Sequence, residues 1–238
     1  MINLYSNMQK IAVIGRGKTG SQVIESLGER CALVVGKEEL SVDTFSGVEG
    51  IIVFVPGPAV KPLIPSLLKT GLPVVWGSTG FEWPEDLQHS LAQHHATWIH
   101  GQNFSMGMQV MRKALNSISD SLAHLSKIGQ HHEEQIDVRI TDIHHTSKLD
   151  APSGTAIKWQ EWLDKPYPID SKRVGDVNGI HELLVETTGE RMTFRHEAKS
   201  RVVFAEGAIW ALDHLKQLKQ PGLYTFEHLF DTITTHAI

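Results

Sequence analysis

A single cysteine, Cys31, is the only thiol in 238 residues, so an internal disulfide is excluded. It opens an apolar run, which reads as a small buried hydrophobe in a reducing compartment. No apolar run approaches the roughly 20 residues that a membrane span needs, and Met1 to Lys10 lacks the basic segment, apolar core and cleavage site of a secretory leader. Positive charge is scarce as well. Lys and Arg number 22 against 27 Asp and Glu, a net charge of -5 with His neutral, so the surface lacks the basic footprint that nucleic acid requires. Internal repeats and low-complexity tracts are absent too. What is present is ordinary globular material, 41% hydrophobic and 21% charged, long enough for one large domain or two modest ones. A cytoplasmic protein with no nucleic-acid or membrane partner is expected.

The first hundred residues alternate short apolar runs with helical spacing. Ile11 to Ile14 feeds Gly15-Arg16-Gly17-Lys18-Thr19-Gly20, after which Ser21 to Leu27 is helical until Gly28. Glycines at those three places allow a tight turn, close backbone approach to a pyrophosphate and close packing of helix on strand. Such a turn alone is weak evidence, but its context strengthens it. Cys31 to Val35, Gly50 to Val55, Leu72 to Trp76 and Thr97 to His100 read as further buried parallel strands. A helix near Ala59 to Lys69 lies between Pro58 and Gly71, and another follows Pro84. This is the pattern of a Rossmann-like doubly wound sheet that binds a dinucleotide at the carboxyl ends of its strands. Gly77-Ser78-Thr79-Gly80-Phe81 and Gly101-Gln102-Asn103-Phe104-Ser105 follow strands on the side where a nicotinamide would rest. At the end of the second strand, Lys37 suits the extra phosphate of NADPH, whereas Glu38 and Glu39 are close enough to serve NADH. A charged turn without cofactor contact remains an equal reading for any one of the three.

Beyond Ser105, an expected N-cap, Met111, Leu115, Ile118, Leu122 and Leu125 form one apolar helical stripe that belongs to a core. From about Ser126 the organisation changes to a long strand ending at Ile143, a helix to about Leu163, a turn containing Pro166 and Pro168, and a hairpin. The hairpin pairs His181 to Thr187 with Arg191 to His196 around Thr188-Gly189. Antiparallel strands do not simply extend a parallel sheet, so a second, α+β domain is predicted. The expected boundaries are 1–104 with 208–238 for the dinucleotide domain and 105–207 for the second. The last segment, about Gly207 to Phe230, is read as helix in two pieces around Pro221-Gly222, packing back on the first domain.

The chain is organised around Asp142 to Thr155: Asp-Ile-His-His-Thr-Ser-Lys-Leu-Asp-Ala-Pro-Ser-Gly-Thr. Two imidazoles, an ammonium and a helix-opening Ser-Gly-Thr follow an alternating β-branched strand (Ile136, Val138, Ile140). Adjacent residues on a strand face opposite ways, so His144 and His145 cannot easily chelate one metal, and no metal is expected. His94-His95 and His131-His132 flank polar segments and read as solvated surface. A pair of hydrogen-bonded structural imidazoles is the plainest reading of His144 and His145. Their company argues against it: Lys148 supplies a mobile charge, and Ser153-Gly154-Thr155 offers amides at a helix N-terminus, where carboxylates are held. One imidazole among several anion holders describes acid-catalysed chemistry on an acidic small molecule.

His144-His145-x-x-Lys148-x-Asp150-Ala151-Pro152-Ser153-Gly154-Thr155-Ala156 resembles the signature of the 4-hydroxy-tetrahydrodipicolinate (dihydrodipicolinate) reductases. The resemblance extends to the turn at Gly15, Gly77 to Phe81, Asn103-Phe104-Ser105, Arg173-x-Gly175 with Gly179-x-His181, Ser200-Arg201 with Phe204-Ala205-x-Gly207-Ala208, and Pro221 to Tyr224. It implies that His144 is the general acid and that His145, Lys148, Gly154 and Thr155 hold the carboxylates of a small cyclic dicarboxylate. It also implies reduction with NADH or NADPH in lysine biosynthesis, by a homotetramer assembled through the second domain, with hydride passing to a ring carbon as the two domains close. Cofactor contacts are expected from Gly15, Arg16, Gly17, Lys18, Thr19, Gly20, Lys37, Gly77, Ser78, Thr79, Asn103 and Phe104.

The chain departs from the family pattern at several places. Phe54-Val55-Pro56-Gly57-Pro58 replaces Asp-Phe-Thr-x-Pro, and the first two glycines of the turn are one residue closer than in many members. Trp76 stands where a small apolar residue is common, Gln102 replaces a proline, and Asp142 replaces a more usual Glu. Two other readings share the layout: a reductase of a different imine or carbonyl acid, and a nicotinamide-binding sensor without turnover. A sensor has no need of His144 and Lys148 together.

Overall fold

The computed structural model describes residues 9–36, 40–127 and 136–235, so Lys37, Glu38, Glu39 and the pair His131-His132 lie outside the described residues. Two compact units form: 1–105 with 201–238, and 106–200. The first contains β1 (Ile11–Ile14), α1 (Lys18–Leu27), β2 (Cys31–Val35), β3 (Gly50–Val53), α2 (Val60–Thr70), β4 (Val74–Trp76), α3 (Leu87–Gln93) and β5 (Thr97–His100). After the second unit the chain returns as α6 (Val202–His214), β10 (Gly222–Thr225) and α7 (Phe226–Thr235). The second contains α4 (Met106–Lys127), β6 (Asp137–His144), α5 (Gly154–Trp162), β7 (Ile169–Arg173), β8 (Ile180–Glu186) and β9 (Arg191–Glu197).

The six strands of the first unit are all parallel, in the order β10-β5-β4-β3-β1-β2. Their near-continuous apolar sequences follow from burial on both faces. β1 and β3 are buried at every position. On one face Ile51, Val53, Val74 and Trp76 pack with Ile64, Leu67 and Leu68 of α2 and with Leu87 and Leu91 of α3. The other face takes α6. A side chain at Gly50 would meet Leu212 of α6 at 2.9 Å, and Ile52, two residues along, shares that face. The connection from α6 runs through Leu218 to β10, where Gly222 to Thr225 pairs in register with Thr97 to His100. This strand is a correction to the expected two-piece helix. Four residues beginning with a glycine carry too little periodicity to distinguish a strand from a turn, and tertiary pairing decides it.

The second unit has a mixed sheet, β7-β6-β8-β9. β8 and β9 form the expected hairpin, closed by a bond from Thr187 N to Glu190 O. β7 runs parallel to β6 where only a Pro-containing turn was expected. Its sequence, Ile-Asp-Ser-Lys-Arg, is half-exposed and polar, which hides a strand from hydrophobic periodicity. Along β6 the buried positions are Val138, Ile140, Asp142 and His144, alternating as a strand requires. Val138 and Ile140 pack with Met108 and Leu115 of α4, Ala156 and Trp159 of α5, and Leu183 and Val185 of β8. Among the described residues no helix is long and apolar enough to cross a membrane.

Gly207 shows how tightly α6 is seated, because a Cβ there would lie 1.7 Å from the Phe104 carbonyl oxygen. Gly207→Ala is expected to cost about 1–3 kcal/mol, as overpacking of a close backbone contact does. The check is a lowered urea midpoint at unchanged slope; an unaltered midpoint would show that the helix shifts freely.

Candidate active site

The alternation that buries Val138 and Ile140 continues to the end of β6 and turns Asp142 and His144 inward with them. A carboxylate in that position must be met by donors, since burying it alone is prohibitive. Asp142, fully buried, is met from four directions. Ser153, at the N-cap of α5, donates its backbone N to Oδ2 at 3.0 Å and its Oγ to Oδ1 at 2.8 Å. Ser171 Oγ of β7 donates to Oδ2 at 3.3 Å, and both terminal nitrogens of Arg173 approach the same oxygen at 3.4 Å. From β8, directly opposite in register, His181 Nε2 lies 3.4 Å from Oδ1 and 3.2 Å from Ser153 Oγ. His144 Nδ1 lies 2.8 Å from Oδ1, off the line of an ideal hydrogen bond. Burial pushes the Asp142 carboxyl up, but His144, His181 and Ser153 together hold it well below the usual carboxylate range.

Asp142, His144 and His181 bring three potential ligand atoms within 4.8 Å of one another. The Arg173 guanidinium on the same carboxylate opposes a further cation, so the chemistry is that of an ion-paired cluster. Burial lowers the pKa of His181, only partly offset by its bond to Asp142. Its ring contacts His144 edge-on, with centroids 5.2 Å apart, and Trp159 at 5.7 Å.

With Nδ1 of His144 turned to Asp142, the other ring nitrogen faces Gly179. A Cβ on Gly179 would come within 3.1 Å of His144 Nε2, and its φ of +153° disfavours a side chain in any case. The loop beyond β6 is tied down by Val174 N to His144 O at 2.8 Å and Thr146 N to Gly175 O at 3.1 Å. On that loop, half-buried His145 bonds through Nδ1 with Ser147 Oγ at 2.8 Å, and Lys148 Nζ pairs with Asp150 Oδ1 at 2.8 Å. Burial raises the Asp150 pKa, but Lys148 outweighs it and draws the group down. Ser153 Oγ accepts from Ala156 N at 3.2 Å, which leaves Gly154 and Thr155 as the first two residues of α5, both half-buried. His144, His145, Lys148, Gly154 and Thr155 therefore stand on one strand end, its loop and the helix that follows. Asp142, Arg173, Ser171, Gly179 and His181 were missed as site residues. The period-2 alternation reaching Asp142 was a signal for the first of them.

In the first unit, Gly15 to Gly20, Gly77 to Thr79 and Asn103-Phe104 all follow the carboxyl ends of parallel strands. Gly15, at φ +108°, has no room for a Cβ, which would sit 2.2 Å from Phe54 O; one on Gly20 would sit 2.2 Å from Gly15 O. A Cβ on Gly17 meets nothing within 4 Å, so the backbone is open there, and Gly17 caps α1 with no side-chain bond. The three glycines thus fit a dinucleotide pyrophosphate: one for the turn, one for its approach and one for helix packing. Lys18 is exposed and Thr19 half-buried on the first turn of α1. Ser78 Oγ is engaged by Val55 N at 3.0 Å, Asn103 Oδ1 accepts from Ser105 N at 2.9 Å, and the Phe104 ring is buried against Phe54 and Phe226. Gly77 is held to glycine by Phe54, whose ring would lie 2.0 Å from a Cβ there. That contact gives a packing role to part of the departure at 54–58.

A parallel sheet with this glycine turn places the chain in the Rossmann class of dinucleotide-binding folds. Comparison with known proteins narrows the class. The family model for "Dihydrodipicolinate reductase, C-terminus" matches residues 107–230. The 4-hydroxy-tetrahydrodipicolinate reductase of Bdellovibrio bacteriovorus is 32% identical over 90% of this chain and 93% of its own. That of Christiangramia forsetii is 30% identical over 94% and 98%. A solved dipicolinate-bound dihydrodipicolinate reductase from Paenisporosarcina sp. TG-14 shares the fold, with a TM-score of 0.68 over 93% of this chain and 99% of that one at 20% identity. The chain belongs to the 4-hydroxy-tetrahydrodipicolinate reductase family.

Asp142→Asn removes the charge while leaving Arg173 in place, and is expected to cost about 3–5 kcal/mol at neutral pH, as breaking a buried pair does. A carboxylate held low in the folded state stabilises fully above its unfolded pKa near 4 and progressively less below it. The stability gap between parent and variant, measured by urea unfolding, should therefore narrow as pH falls below about 4. A gap independent of pH would show that the charge is not what stabilises.

Proposed function

We propose that this chain reduces 4-hydroxy-tetrahydrodipicolinate to tetrahydrodipicolinate with NADPH or NADH, in the lysine and diaminopimelate branch of amino-acid biosynthesis. The observation that carries the reading is the inward-facing pair Asp142 and His144, with Nδ1 of the imidazole 2.8 Å from a carboxylate oxygen and Nε2 turned to a glycine. Such an arrangement orients one nitrogen and leaves the other to hold and deliver a proton.

The division of labour follows the two units. Residues 1–105 with 201–238 hold the dinucleotide through Gly15 to Gly20, Gly77 to Thr79, Asn103 and Phe104, and Lys37 is a further cofactor contact. When bound, the nicotinamide supplies the hydride. Residues 106–200 hold the substrate and assemble a homotetramer. His144 delivers the proton from Nε2. Lys148 exchanges Asp150 for a substrate carboxylate, and His145 with the amides of Gly154 and Thr155 holds the carboxylates, as helix N-termini do. The chain works in the cytoplasm. A nicotinamide-binding sensor on the same scaffold would bind cofactor and turn nothing over.

The test is oxidation of NADPH or NADH by the purified chain when freshly made 4-hydroxy-tetrahydrodipicolinate is supplied. Absence of turnover with either cofactor would sink the proposal, and binding without turnover would favour the sensor. His144→Gln is expected to lower kcat by roughly 10²- to 10⁴-fold, the range for losing a positioned acid. Lys148→Ala should chiefly raise KM, and an unchanged KM would refute its role as a carboxylate holder.

A further inference from the structure

A proton donor has to let its proton go, so the carboxylate behind His144 must not hold the imidazolium too firmly. Oδ1 of Asp142, the oxygen 2.8 Å from His144 Nδ1, is shared. Ser153 Oγ donates to it at 2.8 Å, and His181 Nε2 lies 3.4 Å away. The direction of this last contact follows from the protons available. Ser153 has one hydroxyl proton and gives it to the carboxylate, so its Oγ accepts from His181 Nε2, 3.2 Å distant. Nδ1 of the same ring is buried and meets no partner among the described residues, so a proton there would go unsatisfied. Nε2 of His181 is therefore the protonated nitrogen, and its N–H is divided between Ser153 Oγ and Asp142 Oδ1. The ring is held in place: it is 3% exposed and packs on Trp159, whose Nε1 is bonded to Met108 Sδ at 3.3 Å.

We propose that His181 is a positioning residue that competes with His144 for Oδ1 of Asp142 and so limits how firmly the carboxylate holds the proton that His144 delivers; this rests on the reading of His144 as the acid. A hydrogen bond to an ionised carboxylate stabilises its charge and weakens its pull on any further proton. The groups around His144 come from every neighbouring element. Asp142 lies on its own strand, Arg173 of β7 meets the other carboxylate oxygen at 3.4 Å, and α5 presents Ser153 and Trp159. The His181 ring of β8 is 5.2 Å from the His144 ring, His196 of β9 stands opposite His181 in register, and Lys148 with Asp150 lies on the loop. Among the described residues, His181 is the titratable group that reaches the same oxygen as His144. Burial weighs most against a charge on His181; Asp142 favours one, and His144 and Lys148 oppose it. Without the His181 donor, Asp142 pairs more strongly with His144, which then keeps its proton to higher pH.

The test is the pH profile of kcat for reduction of 4-hydroxy-tetrahydrodipicolinate by the whole chain, in His181→Leu, which removes the donor, and His181→Gln, whose amide keeps one. An acid acts only while protonated, so kcat falls on the alkaline side as the proton is lost. In His181→Leu that limb should move up by roughly one pH unit, the scale of a single hydrogen bond. In His181→Gln it should stay close to the parent. An unmoved limb with a lowered plateau in His181→Leu overturns the proposal, because a role in packing alone reduces the active fraction without moving the limb. A limb moved to lower pH overturns it as well. If His181→Leu does not fold, ring-nitrogen NMR of the parent decides: the imidazole signal missing from His181→Gln should report a proton on Nε2, and a proton on Nδ1 instead overturns the proposal. His144→Gln separates the two levels. An alkaline limb that survives in His144→Gln strikes the reading of His144 as the acid, whereas a limb lost there but unmoved in His181→Leu strikes this inference alone.

Discussion

The second unit depends on the ionised carboxylate of Asp142. A charge with no exposure survives only if donors converge on it, and the donors come from every element around it: Ser153 from α5, Ser171 and Arg173 from β7, His181 from β8 and His144 from its own strand. Satisfying the charge therefore fixes where those elements lie. The mixed sheet has its order because β7 and β8 must flank β6 for their polar groups to reach one oxygen pair. The same demand anchors the start of α5, since Ser153 serves the carboxylate and caps the helix with one hydroxyl. The charge that organises the strands also orients the imidazole read as the acid.

Much of this was legible in the sequence, for identifiable reasons. Buried parallel strands announce themselves as unbroken apolar runs, and Ile11 to Ile14, Cys31 to Val35 and Thr97 to His100 fall where those runs put them. The cluster from His144 to Thr155 was legible because its groups are adjacent in the chain and rare in combination. β7 and β10 were not, since one is half polar and the other four residues long, and each exists because a neighbour supplies the pairing. The partners of Asp142 were hidden for a related reason. His181 is 39 positions away, and only the antiparallel register brings it opposite Asp142. The alternation through Val138 and Ile140 did extend to Asp142, so the inward-facing carboxylate was readable; the donors that make it tolerable were not.

The glycines of the two units solve different problems. In the first, Gly15 and Gly20 admit backbone against backbone, while Gly17 keeps a surface open. In the second, Gly179 keeps a side chain away from a single nitrogen of His144. The one arrangement suits a ligand held by amides, the other leaves space beside one ring nitrogen.

Two cations of the second unit, Arg173 and Lys148, are divided by solvent. Arg173 sits on a buried carboxylate, and separating such a pair leaves an uncompensated charge at a cost of about 3–5 kcal/mol. Its place in this cluster is structural. Lys148 is paired with Asp150, whose carboxylate is 56% exposed, and an ion pair of that kind is worth about 0.2–1 kcal/mol. Water can take over Asp150 as soon as another carboxylate arrives. The residues that hold the fold are thus the ones whose partners cannot be rehydrated, and the residue assigned to the substrate is the one whose partner can. The string from Asp142 to Asp150 places both kinds within nine residues, because β6 carries its first member into the core and the loop carries its last into solvent.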